Sequence, residues 1–207
     1  NVTGHVKIVV DNLSAGTNAV VSGLFFAPAQ TAPGTSSSAA FVKTDTAVGG
    51  NWQGVYGSDG YNIIGGTVSY PGYATVLPEG NLNCVWAQPT SDPSALQVSG
   101  SSTSRIAACW YSSGSAAGNS FLIDVNLTDQ QSHSVALYML DWDGLGPRAQ
   151  QVQVLDAATG AVLDSRSIPG FEEGEYLVWT LTGHVIIQVT NQVNGSNAVI
   201  SGLFFGQ

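Results

Sequence analysis

Charge is what the 207-residue chain has least of: Asp, Glu, Lys and Arg together make up 9% of it, with five Lys+Arg against 14 Asp+Glu and a formal net charge of −9. Soluble domains usually carry about a quarter charged residues. Surface polarity must therefore come from Ser, Thr, Asn, Gln and Gly, a composition common in secreted β-proteins. The shortage of cations removes the counterion-release term that drives nucleic-acid binding, and an anionic lipid surface would repel the chain. Long apolar runs are missing too. None approaches the roughly 18–20 residues needed to cross a bilayer, so no membrane insertion is expected. The opening residues, NVTGHVKIVV, have neither the basic nor the apolar region of a signal peptide, and they read as part of a longer, already processed chain.

Helical periodicity is absent: no 12-residue stretch has a clean 3.6 period. Cysteine is down to two, Cys84 and Cys109, in the strand-like surroundings NLNCVWA and RIAACWY. They read either as one disulfide or as two buried thiols. Of the three histidines, His5 and His184 sit in strands and are expected to be structural, and His133 lies in a DQQSHS turn and is expected to be solvated. There is no G-x-S-x-G elbow and no Cys/His cluster with zinc spacing. The N-x-S/T sequons at Asn1, Asn12, Asn126 and Asn194 carry little weight in a chain so rich in these residues.

What the chain does have is short, β-branched and aromatic runs spaced by turn residues. FLIDVNL (121–127), SVALYMLDW (134–142), AQQVQVLDA (149–157), AVLDSRSI (161–168), YLVWTL (176–181) and HVIIQVT (184–190) read as strands, with Asp156–Gly160 as a hairpin turn. An all-β sandwich follows.

One segment occurs twice. Residues 4–26, GHVKIVVDNLSAGTNAVVSGLFF, align without a gap on 183–205, GHVIIQVTNQVNGSNAVISGLFF, with 15 of 23 positions identical. Each copy reads as a hairpin turning at Ala15–Asn18 or at Asn194–Asn197. Residues 27–40 form a Pro/Ala/Ser/Thr linker, and 41–207 a complete domain. Residues 1–26 then read as the last hairpin of a preceding, similar repeat. A lone hairpin is marginal in water, so it should dock on a second surface of the domain or fill the vacant slot of a neighbouring molecule.

Two stretches carry candidate chemistry. GGNWQGVYGSDGYNIIGG, 49–66, sets seven glycines around Trp52, Tyr56 and Tyr61. It lacks the Gly-Lys-Ser/Thr of a phosphate loop and the G-x-G-x-x-G of a dinucleotide site. Its rings either stay open to stack on the C–H faces of sugars or plug one end of the sandwich. In YMLDWDGLGPR, 138–148, Asp141 and Asp143 face one way with Trp142 opposite and Arg148 past the turn. The carboxylates can share a Ca²⁺, accept hydrogen bonds from sugar hydroxyls, act as an acid/base pair or salt-bridge Arg148. The acidic FEEGEY, 171–176, reads as a solvated turn.

Taken together, FVKTDTAVGGNWQGVYGSDGYNIIG, YPGYATV, RIAACWYSSGS, FLIDVNLTD, HSVALYMLDWD, AVLDSRSI, GEYLVWTLTGHV and NAVISGLFF resemble a domain of large secreted or surface-attached bacterial proteins. Such domains are often repeated, or appended to Ig-like and carbohydrate-active catalytic domains. The resemblance covers nearly all of 41–207, while 1–26 matches only the family's last hairpin. It implies a galactose-binding-like jelly roll and a non-catalytic, extracellular accessory unit. Modules of that architecture commonly bind sugar on loops at one end and often hold a structural Ca²⁺. That would implicate Trp52, Tyr56, Tyr61, Trp142 and Arg148 in binding a polysaccharide or glycan, and Asp141 and Asp143 in holding Ca²⁺. The alternative expectation is a structural repeat of a cell-surface or filament-forming protein, joined to neighbouring repeats by β-strand complementation.

Overall fold

The computed structural model of the chain describes residues 10, 16, 18–22, 24, 37–144 and 147–207. The chain divides into two units, Asn1–Gly34 and Thr35–Gln207. Most of the first unit, including His5 and most of the segment read as the end of a preceding repeat, lies outside the described residues, as does the linker up to residue 36.

The second unit is all-β, with no helical residue among those described. Its strands are β1 (Ser38–Asp45), β2 (Gly60–Ile63), β3 (Val68–Ser69), β4 (Ala74–Glu79), β5 (Asn81–Thr90), β6 (Leu96–Gln97), β7 (Arg105–Ser112) and β8 (Ser120–Leu127). They continue with β9 (His133–Met139), β10 (Gln150–Asp156), β11 (Val162–Ile168), β12 (Glu175–Thr182), β13 (His184–Asn191), β14 (Val199–Ile200) and β15 (Gly202–Phe205). All six strands read from the sequence are present, and Asp156–Gly160 does turn β10 back onto β11. Residues 38–40, at the end of the stretch read as linker, belong to β1.

A six-stranded sheet runs β1-β12-β9-β15-β2-β3, and a five-stranded sheet runs β11-β10-β13-β8-β4. A smaller sheet, β14-β7-β5 with β6 on β7, flanks them. From β8 onward the long strands cross between the two large sheets, apart from the β10–β11 hairpin, which stays within the five-stranded sheet. The strand pairing corrects the hairpin reading of 183–205. β13 pairs with β10 and β8, and β15 pairs with β9 and β2, so the two strands never meet as partners. The segment is an arch that crosses from one sheet to the other. Locally, arch and hairpin share the same strand–turn–strand pattern, and only distant partners distinguish them.

Burial explains the composition of individual strands. β8 alternates, turning Phe121, Ile123, Val125 and Leu127 inward and leaving the residues between them half-exposed. β9, β12 and β15 are apolar on both faces because both are covered. One face, with Val135, Leu137, Leu177, Trp179, Leu203 and Phe205, packs on the five-stranded sheet. The other, with Ala136, Tyr138, Tyr176, Val178 and Phe204, forms a second core under Trp52, Tyr56, Ala95, Leu96 and Ile106.

Candidate functional site

The glycine-rich loop after β1 is a cover for that second core. Gly50 brings its backbone against the loop before β6: its N–H donates to Pro93 O at 2.9 Å, and a Cβ at this position would fall 1.9 Å from Ala95 O. Close docking here turns the aromatics of the loop onto the sheet. Trp52 is 4% exposed and Tyr56 is 2% exposed. Tyr56 stacks on Tyr176 with centroids 4.5 Å apart, and Trp52 packs on Phe204 at 5.3 Å and on Tyr61 at 4.6 Å.

The buried Trp and Tyr rings of this core each place their polar group on a partner, as amphipathic aromatics require. Trp52 Nε1 donates to Gln97 O at 2.8 Å, Tyr138 Oη to Ser94 O at 2.5 Å and Tyr176 Oη to Gly49 O at 2.7 Å. Tyr56 Oη donates to Asp45 Oδ2 at 2.6 Å, and Lys43 Nζ donates to the same oxygen at 3.0 Å. Burial and the Asp45 carboxylate push the Tyr56 phenol up to about 12. At Asp45 burial works to raise the pKa, but the hydrogen bonds from Tyr56, Lys43 and the Ala47 N–H outweigh it and hold the carboxyl at about 2.

Tyr61 differs from its two neighbours in being half-buried. Its hydroxyl lies 2.5 Å from Ser99 Oγ. Above it opens a cleft of 360 Å³, with Trp52, Tyr56 and Tyr61 as its aromatic lining and Gln53, Ser58, Ser99 and Gln207 as its polar lining. No Asp, Glu, Lys or Arg lines it. Gln53 is fixed in place, its Nε2 donating to Ser101 O at 2.7 Å and its Oε1 accepting from the Gly100 N–H at 3.3 Å.

Asp141, Asp143 and Arg148 do come together, as the sequence proposed, but with one another. The two carboxylates share the Arg148 guanidinium. Nη1 and Nη2 donate to Asp143 at 2.7 and 2.8 Å, Nη1 also donates to Asp141 Oδ1, and the Arg148 N–H donates to Asp141 Oδ2 at 3.0 Å. Arg148 is 4% exposed and sits over the Trp86 ring. Among the described residues no group of three or more His, Cys, Asp or Glu is placed to hold a metal ion. Trp142 is half-buried and lines a separate cleft of 200 Å³ with Asp92, Ser94, Asp141, Glu172 and Glu173. The aromatics singled out in the sequence therefore do not form one surface.

Cys84 and Cys109 face each other in register across β5 and β7, and both are free thiols. Burial, with the neighbouring Cys84, raises the Cys109 pKa. His133 is not solvated as its turn-like context implied: it opens β9, its ring stacks on Tyr73 at 3.6 Å, and Nε2 meets Asp129 at 2.9 Å. Sequence reading missed Gln53 and Ser58, polar neighbours of the rings it singled out in 49–66, and Ser99 and Gln207, which only the fold brings to them.

No protein-family model matches the chain, and no curated protein matches it. One similar solved structure concerns the promiscuous specificity of carbohydrate-binding modules from the β-sandwich superfamily; it is 12% identical with a TM-score of 0.33. The match covers 74% of this chain and 64% of that one, so this chain spans less than two thirds of its length. Another is the family 32 carbohydrate-binding module of C. perfringens NanJ in complex with galactose, 14% identical with a TM-score of 0.28, covering 62% of this chain and 99% of that one. Likeness at this level assigns no ligand to the present chain.

Proposed function

We propose that the chain is a non-catalytic, extracellular carbohydrate-binding domain that takes a neutral sugar in the cleft over Tyr61. The observation that carries this reading is the lining: aromatic rings together with amides and hydroxyls, without a charged side chain. Sugars present C–H faces that lie on aromatic rings and hydroxyls that pair with amides and hydroxyls. A charged ligand would find no counter-charge there. The volume of 360 Å³ falls in the range of small-molecule sites.

In this reading the aromatics take different roles. Tyr61 is the contact ring, Trp52 is the buried ring packed against it, and Tyr56 is buried on Tyr176 and Phe204. Trp142 belongs to a different, carboxylate-lined cleft and Arg148 is buried behind it, so neither is assigned to sugar binding. Asp141 and Asp143 are assigned neither Ca²⁺ nor acid/base work, because their oxygens accept from Arg148. Extracellular placement is supported by the composition, poor in charge and rich in Ser, Thr, Asn and Gly.

The test is calorimetric titration against a panel of neutral oligosaccharides and polysaccharides, with Tyr61→Ala alongside. Binding to at least one neutral glycan is expected, weakened about tenfold, or about 1.4 kcal/mol, by the loss of one stacked ring. Failure to bind any of them, or a Tyr61→Ala protein that binds as the parent does, sinks the reading.

A further inference from the structure

Segment 183–205 supplies β13, β14 and β15, and both longer strands are interior to their sheets. β13 lies between β10 and β8, and β15 between β9 and β2. The arch is thus the wedge that closes the sandwich. At its bend the buried Asn191 amide donates to Ala116 O, Val193 O and Ser196 O at 3.1, 2.6 and 2.7 Å.

Compared with residues 4–26, the arch shows a clear division. Fourteen of its 23 positions are buried, and 12 of these are identical in the copy. The other two differ by a single carbon: Ser196 corresponds to Thr17 and Ile200 to Val21. All six larger differences fall on the nine positions that are half-buried or exposed. There Ile186, Gln188, Thr190, Gln192, Val193 and Asn194 correspond to Lys7, Val9, Asp11, Leu13, Ser14 and Ala15. The three non-buried positions that are kept each have a structural tie. Gly195 has φ +90°, and its counterpart Gly16 has φ +81°. Asn197 Nδ2 donates to Ser112 O and Gly114 O at 2.9 and 2.6 Å, and His184 Nε2 meets the Asp124 carboxylate at 2.9 Å.

Identity that follows burial position by position is what packing into one close-fitting slot requires. A shared surface function would preserve the opposite set of positions. We propose that residues 4–26 occupy, in a second copy of this fold, the slot that 183–205 occupies in its own, supplying the interior strand of both sheets. The host is another copy of the fold whose slot its own chain leaves open, because the slot within 37–207 is already filled by 183–205. Lys7 would take the place of Ile186, whose register partner is Asp124, and so gain an opposite charge across the strands.

Two variants test this. In the first, the eight differing residues of 183–205 in the full chain are replaced by those of 4–26. The proposal expects cooperative melting within about 5 °C of the parent, since the buried changes are single carbons. In the second, the chain ends at Thr182, which empties the slot and leaves residues 4–26 to fill it within one chain or between chains. Within one chain the reach is sufficient. Phe205, Val135, Trp179 and Phe41 form one row across the sheet, so Phe26 placed as Phe205 would lie about 14 Å from Phe41. The intervening residues can span more than twice that distance. The truncated chain is expected to melt cooperatively, to lose that transition with Ile8→Asp or Leu24→Asp, and to keep it with Val9→Glu. A replaced chain without a cooperative transition, or a truncated chain without one, overturns the proposal.

Discussion

Trp52 and Tyr61 touch each other, with centroids 4.6 Å apart, yet burial separates their roles. Trp52→Ala removes a ring held between Tyr61, Phe204 and the Gln97 carbonyl, and should cost about 3–5 kcal/mol in denaturant unfolding. Tyr61→Ala should cost less stability and more binding. The sequence shows both rings beside glycines, but a strand's burial on both faces is invisible until its cover is known. Hence the choice between sugar-facing and core-facing rings could be posed from the sequence and not answered. Asp45 is a second residue whose role appears only in the fold. Its carboxyl is held at about 2, below the ordinary value of 3.8, so it contributes stability that is fully present above about pH 4 and lost as pH falls through about 2. Asp45→Asn should therefore melt lower than the parent at neutral pH and show a flatter dependence of Tm on pH between 4 and 2.

Strands were legible wherever their pattern is local. β8, β9, β10, β11, β12 and β13 stand where alternation and β-branching placed them. Asn194–Asn197 has the composition of a tight turn, so the segment reads as a hairpin, while the partners that make it an arch lie in distant strands. Asn191, fully buried, holds the bend itself, its amide gathering three carbonyls. Asn191→Asp removes the donors and places a carboxylate among those carbonyls, a loss of several kcal/mol at pH 7. Part of the loss should return in acid, where the protonated carboxyl can donate again; a Tm deficit that does not shrink from pH 7 to pH 4 would count against this account of the bend. The register of β5 on β7 was equally nonlocal. It sets Cys84 opposite Cys109 with unequal access, Cys84 half-buried and Cys109 buried with its pKa raised by burial. Alkylation of the native protein should therefore label Cys84 alone, and labelling of both should require denaturant, as read by peptide mass.

At the scale of the molecule, the six-stranded sheet is insulated on its outer side by a layer of rings whose polar ends are tied to the covering loops. Tyr176 holds Gly49 O, Tyr138 holds Ser94 O, Trp52 holds Gln97 O and Tyr56 holds Asp45. Such a cover cannot be inferred from any one stretch, because its bonds join residues as far apart as Gly49 and Tyr176. The cover shares one titration. Burial raises the phenols of Tyr138 and Tyr176 above their ordinary value, and burial with Asp45 takes Tyr56 to about 12. For Tyr56 the raised folded pKa means that the stability it contributes is complete below about pH 10 and is lost as pH climbs through about 12, and burial shifts Tyr138 and Tyr176 in the same direction. Tyr138 and Tyr176 cannot ionise in place without leaving a phenolate in an apolar layer, and ionised Tyr56 would lose its hydrogen bond to the Asp45 carboxylate and face it as a like charge, so ionisation and opening of the cover should coincide. On raising the pH from 9 to 13, tyrosinate absorbance from these rings should therefore rise together with the loss of near-ultraviolet circular dichroism. Tyr138→Phe and Tyr176→Phe, each leaving a loop carbonyl without its donor, should lower stability by about 1–3 kcal/mol. Both should bring the alkaline transition to lower pH, because a loosened cover admits water to the remaining phenols. If the three tyrosines ionised while the circular dichroism held, the layer would be open to solvent and the second core would not insulate the sheet. The same loosening should weaken sugar binding at Tyr61, whose ring is positioned by Trp52 in that cover.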